Sequence, residues 1–137
     1  MKVCILYEDI GSSSVSKELS AGLAEGIRTQ GHDVDLVDMS REAGKIVSFY
    51  DYIAVGTSAV SFWGGRIPVK TGEFLKQCGT ISGKRCFAFI GRRGIRLRKT
   101  LQELMRIMES QGMYLTYSDV LPNRDYAKEV GKRLVIS

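Results

Sequence analysis

The pattern of apolar and polar positions divides the chain into short buried runs and longer one-sided stripes. Lys2 to Tyr7 (KVCILY) is an apolar, branched run closed by a polar Gly/Ser segment, as expected of a strand buried on both faces. After Glu8-Asp9-Ile10-Gly11-Ser12-Ser13-Ser14, apolar residues recur at Val15, Leu19, Leu23 and Ile27, a spacing of four that draws one stripe along a helix. Ser12, Ser13 and Ser14 are its N-cap candidates and Gly31 its stop. Val34 to Val37, Tyr52 to Gly56 and Arg85 to Ile90 read as strands two to four, and Tyr114 to Val120 as strand five. Helices are expected from about Val69 to Gln77, along the stripe Leu97, Leu101, Leu104, Met105 and Met108 to near Gly112, and from Asp125 to Leu134. Gly22 and Gly26 in the first helix are expected to let it approach the sheet closely.

Strands alternating with helices imply right-handed crossovers and a parallel sheet covered on both faces. The expected fold is α/β, a three-layer, doubly wound, five-stranded parallel sheet of order 2-1-3-4-5. In that order the chain reverses direction between strands one and three, opening a crevice at their carboxyl ends. Function is therefore expected on three loops, Glu8 to Ser14, Thr57 to Arg66 and Gly91 to Gly94.

Composition keeps that picture and adds a charge asymmetry. With 137 residues, 44% hydrophobic and 26% charged, the chain reads as a single domain over 1–137 that buries its core without disulfides. Its apolar runs reach only five or six residues, and no signal-peptide pattern opens it, so a cytoplasmic protein without a membrane span is expected. Three cysteines cannot all pair; Cys4 and Cys86 read as buried thiols, and Cys78, after a helix, as the more exposed one. Residues 1 to 51 carry five basic and nine acidic side chains, whereas residues 52 to 137 carry fifteen basic and six acidic. Lys84, Arg85, Arg92, Arg93, Arg96, Arg98 and Lys99 form an acid-free stretch that spans both ends of the fold. A nucleic-acid partner is therefore not expected. The arginines at 92, 93, 96 and 98 share the crevice side, where they suit an acidic protein partner or an anionic ligand.

Several chemistries are excluded. A receiver domain would share the strand order and the acidic pair Glu8-Asp9, but it needs an Asp where strand three ends in Val55-Gly56-Thr57-Ser58. The only histidine, His32, enters strand two away from the crevice, the cysteines lack zinc spacing, and no Gly-Lys-Ser/Thr phosphate loop is present. No serine has a base, and Glu8 and Asp9 read as helix-entry charges rather than an acid–base pair.

Three segments resemble the flavodoxin family over essentially the whole chain. A strand ending in Tyr7 leads into a Gly/hydroxyl loop at a helix start, similar to the family's flavin-phosphate loop. Val55-Gly56-Thr57-Ser58 with Ser61-Phe62-Trp63-Gly64-Gly65 and Val69-Lys70-Thr71-Gly72-Glu73-Phe74-Leu75 looks like the second flavin loop and the helix behind it. Phe89-Ile90-Gly91, a Gly-containing turn and a long helix resemble the third. The resemblance implies an FMN-binding electron carrier with protein redox partners and no substrate of its own. Gly11, Ser12, Ser13 and Ser14 would hold the phosphate, Thr57, Ser58, Trp63 and Gly64 would form the second loop, and Gly91, Arg92 and Arg93 the third. Trp63 would cover the flavin ring, or else pack under its own loop, with Phe62 as the buried neighbour.

Against the family's phosphate loop, hydroxyl-x-Thr-Gly-x-Thr, only Gly11 and Ser13 match; Glu8 stands at the first hydroxyl and Ile10 at the Thr, and Glu8 and Asp9 would face the phosphate. The third loop carries arginines instead of an aromatic. Two readings follow. The first is the FMN carrier; the second is a flavodoxin-like domain that has lost FMN and serves as a binding or regulatory module for another anion or a protein.

Overall fold

The computed structural model describes residues 1–136. Its elements in chain order are β1 (Lys2–Tyr7), α1 (Val15–Arg28), β2 (Asp33–Asp38), β3 (Tyr52–Thr57), α2 (Val69–Gln77), β4 (Arg85–Gly91), α3 (Leu97–Ser110), β5 (Tyr114–Leu121) and α4 (Arg124–Arg133). The strands form one sheet, order β2-β1-β3-β4-β5, with every neighbouring pair parallel. This is the doubly wound arrangement that the alternation of apolar runs and stripes predicts.

Strand side chains alternate between two cores, because successive residues of a strand face opposite ways. Val3, Ile5, Tyr52, Ala54, Phe87 and Phe89 pack under α1 and α4. Cys4, Leu6, Ile53, Val55, Ala88 and Ile90 pack on the other face with Phe74 and Leu75 of α2 and Leu104 and Met108 of α3. Burial on both faces explains why the central strands are near-continuous apolar runs. The link from β2 to β3 contains no helix; instead Met39, Val47 and Tyr50 sink into the second core. The Tyr50 hydroxyl donates to Asp35 Oδ2 at 2.6 Å, and Val47 N–H donates to the Cys78 carbonyl at 2.8 Å, fastening the loop.

Two expectations about packing are corrected. Cys78 is fully buried rather than exposed, its Sγ 3.4 Å from the Leu75 carbonyl, because the link from β2 folds over it. All three cysteines are free and buried, and burial pushes the Cys4 and Cys86 thiols up to about 12. Gly22 and Gly26 do not bring α1 onto the sheet; they bring it onto α4. A methyl group on Gly26 would run into the Lys128 carbonyl, one on Gly22 into the Arg124 carbonyl, and one on Gly131 into the Leu23 carbonyl. Sequence spacing shows that a helix has a small face but not which neighbour fills it. Gly26→Ala is expected to lower stability by about 1–3 kcal/mol, the cost of forcing volume into a packed interface, measured as a lower urea midpoint at unchanged slope.

Candidate functional site

The crevice lies where β1 and β3 end side by side, and Glu8 is buried beneath that edge. Glu8 N–H donates to the Gly56 carbonyl at 3.1 Å, extending the β1–β3 pairing by one step. The Thr71 hydroxyl at the start of α2 donates to Glu8 Oε1 at 3.0 Å, and the Thr57 hydroxyl lies 3.4 Å from the Glu8 carbonyl. Glu8 is only 5% exposed, and among the described residues no lysine or arginine forms an ion pair with it. Desolvation raises its pKa, and the Thr71 hydrogen bond only partly offsets that. Thr57 and Ser58 are themselves buried.

Asp9 turns the other way and closes the start of α1. Ser16 N–H donates to Asp9 Oδ1 at 2.7 Å, and Lys17 N–H donates to Asp9 Oδ2 at 3.1 Å. These amides belong to the first turn of α1, whose N–H groups have no partner within the helix. The serines play a lesser part than expected. Ser14 occupies the cap position without a side-chain cap bond, and Ser13 Oγ accepts only from Val15 N–H at 3.3 Å. A carboxylate displaces hydroxyls there because full negative charge at a helix N-terminus gains from the dipole and from charge-assisted bonds. Gly11 makes the turn in the left-handed region, φ 60°, that swings Asp9 back over the helix. The helix-entry reading therefore holds for Asp9 and fails for Glu8. A shallow depression remains outside this cap, lined by Ile10, Gly11, Ser12, Ser13, Val15 and, from the third loop, Arg93.

The second and third loops are bonded to each other. Val60 N–H donates to the Arg66 carbonyl at 3.0 Å and Gly64 N–H to the Ser61 carbonyl at 3.1 Å, which closes the second loop on itself. Ile95 N–H then donates to the Phe62 carbonyl at 2.8 Å, and Gly65 N–H to Thr100 Oγ1 at 2.8 Å. Approach is so close that a methyl group on Gly64 would strike the Ile95 carbonyl, and one on Gly94 the Phe62 carbonyl. Both aromatics of the second loop point outward. Trp63 is 67% and Phe62 62% exposed, and their rings meet edge to face at 6.0 Å. Phe62 is thus not the buried partner the sequence suggests, because its backbone rather than its ring anchors the loop. Gly91 is buried, and its missing side chain makes room for Val15. Arg92 and Arg93 are exposed and form no ion pair among the described residues.

No family model matches the chain, and no curated protein matches it in sequence. Solved structures do match in shape. An archaeal flavodoxin is 18% identical with a TM-score of 0.72, covering 97% of this chain and 95% of its own. Oxidised flavodoxin 1 from Bacillus cereus is 17% identical at a TM-score of 0.71, covering 97% and 93%. The flavodoxin of Streptococcus pneumoniae TIGR4 is 16% identical at 0.69, covering 98% and 100%.

The chain has the flavodoxin-like fold. Within it, the three loops that the flavodoxin-like order brings together are those expected from the sequence, and Glu8, Asp9, Trp63, Arg92 and Arg93 all lie on them. What the sequence did not reveal is that Asp9 would cap α1 and that the second loop would be bonded to the third. The signal for the first was present, since Asp is a preferred capping residue, but it stands seven positions before Ser16 and only the Gly11 turn brings it back.

Two outcomes test this geometry. Asp9→Ala is expected to cost about 1 kcal/mol of unfolding free energy, whereas Ser14→Ala stays within about 0.5 kcal/mol, both read from urea denaturation. For Glu8 the folded pKa lies above the unfolded one, so its contribution to stability is fully present in acid and is lost as pH rises through the raised value. Glu8→Gln, which can still accept from Thr71, should melt with wild type below the ordinary carboxylate range and above it at higher pH.

Proposed function

We propose that this chain is a flavodoxin-fold binding module that works without FMN and recognises a protein partner through the rim of its crevice. The Asp9 carboxylate on the Ser16 and Lys17 amides carries the reading. A flavin phosphate at this edge would need the free N–H groups of α1, and two of them are already satisfied by an anion of the chain itself. At a separation of ~6 Å and an effective dielectric of about 20, each full like-charge pair costs on the order of 3 kcal/mol, and a phosphate carries roughly −1.5 to −2. Asp9 would have to leave its two amides or bear that repulsion. Glu8, buried beneath this edge without an ion pair among the described residues, opposes an anion further when ionised.

The second and third loops point the same way. The resemblance would set a flavin ring against Trp63 on one loop with the other loop over its second face, whereas here Ile95 N–H donates to the Phe62 carbonyl across the two. The residues present do not fit the group.

One observation favours the other reading, an FMN electron carrier: Trp63 stands two-thirds exposed at the rim, placed as a ring-stacking residue would be. Solved flavodoxins share its shape. A titration of FMN with the purified protein separates the two. Unquenched flavin fluorescence at protein concentrations well above micromolar, and a colourless preparation, are expected; saturable quenching at micromolar protein would overturn the proposal in favour of the carrier.

A further inference from the structure

The rim of the crevice concentrates unpaired positive charge around an exposed aromatic pair. Residues 57 to 72 and 91 to 102 contain Arg66, Lys70, Arg92, Arg93, Arg96, Arg98 and Lys99 and not one acidic residue. Among the described residues none of these seven forms an ion pair, and with no acidic residue in either segment their charge has no local counterpart. Their placement runs against local helix stability. Helices favour acidic side chains in the first turn, and α1 and α4 follow the rule with Glu18 and Asp125. The first turns of α2 and α3 hold no acid, and α3 opens instead with Arg98 and Lys99. Parallel connections put these helix starts at the same end of the sheet, so the positive ends of the dipoles add to the seven side chains.

Arg96 adds an independent sign. Among the described residues it is the only one other than glycine with a left-handed backbone, φ 57°. Glycine would suit the position better on conformational grounds, so the arginine side chain is kept there at a conformational cost. Phe62 and Trp63 stand beside this charge on a loop already fastened by the bonds from Val60, Gly64, Gly65 and Ile95. An exposed tryptophan on a loop that packs against Arg96 and Lys99 has the composition of the energetic centre of a protein interface.

We infer that this rim is the docking face for an acidic protein segment, one presenting carboxylates to the arginine forks and an apolar hollow to Trp63. The inference rests on the binding-module reading and names the partner's chemistry. Arginine outnumbers lysine five to two in the patch, which suits two-point pairing with carboxylates. The edge-to-face Phe62–Trp63 pair presents a wedge, not the succession of open ring faces on which single-stranded bases stack. That favours a protein over a nucleic acid.

Trp63 is the only tryptophan, so its emission reports the patch directly. The test titrates the full chain with a synthetic amphipathic peptide of glutamates and leucines, with its lysine–leucine counterpart, and with single-stranded oligothymidylate, at low and at physiological salt. The acidic peptide should give a saturable shift of Trp63 emission whose affinity falls roughly tenfold or more with added salt, and the lysine peptide none. Arg96→Gly should weaken that binding severalfold while keeping or raising the melting temperature. An Arg92→Gln, Arg93→Gln double variant should weaken it further. Absence of a saturable shift, oligothymidylate binding as tight as the peptide's, or wild-type affinity in both variants would each overturn the docking face. FMN added to the same samples keeps the two proposals apart. Flavin quenching alongside peptide binding removes the cofactor-free reading and leaves the docking face, and neither signal removes the docking face alone.

Discussion

Everything at the carboxyl edge of the sheet depends on how the free amides at the start of α1 are satisfied. A helix of fourteen residues begins there, pointing its unpaired N–H groups and the positive end of its dipole at the loop after β1. In this chain the answer is internal: Asp9 bends back through the Gly11 turn and accepts from Ser16 and Lys17. Once the carboxylate is there, the neighbouring Glu8 is free to face inward, and it bridges the ends of β1 and β3 to the start of α2. The two residues that immediately follow β1 thus spend their carboxylates within the chain, at the edge where the topology opens the crevice.

A second constraint is steric. Gly64 and Gly94 let the second and third loops touch backbone to backbone, and any side chain at either would separate them. Bonding the loops together fixes Trp63 and Phe62 outward without any need for their rings to be buried. The same device recurs behind the sheet, where Gly22, Gly26 and Gly131 seat α1 against α4. Close approach at glycine is how this small domain places its outer layer and the loops of its candidate site.

The sheet was legible in the sequence because its three central strands are buried on both faces and so are written as short, near-continuous apolar runs, with polar, Gly-containing loops between them. Each strand expected from such a run is present, with ends differing by no more than a residue at either side. The outer contacts were less legible. Nothing in the spacing of Gly22 and Gly26 distinguishes a sheet from a helix as the neighbour, and Cys78 looks exposed until the helix-free link from β2 folds over it. The loops were legible in location and not in wiring. Ser12, Ser13 and Ser14 have the right chemistry for a cap and lose to an acid that is distant in sequence but close in space, a competition decided by charge rather than by position.

The halves of the chain divide the electrostatics of the edge between them. The acidic first half supplies Glu8 and Asp9, which are drawn inward and consumed in hydrogen bonds to backbone and to Thr71. The basic second half supplies the arginines of the second and third loops, which are left outside without counter-charges among the described residues. An anion inside the crevice therefore meets carboxylates, while an anion across its rim meets guanidinium groups and a helix N-terminus. The preference for negative charge that this edge of an α/β sheet has by construction is retained, but it is moved from the interior to the surface. A ligand as small as a phosphate gains little from charges spread over two loops and two helix starts. In the docking proposed above, a carboxylate-bearing protein surface would reach them together, and the exposed Trp63 would give it something apolar to close over.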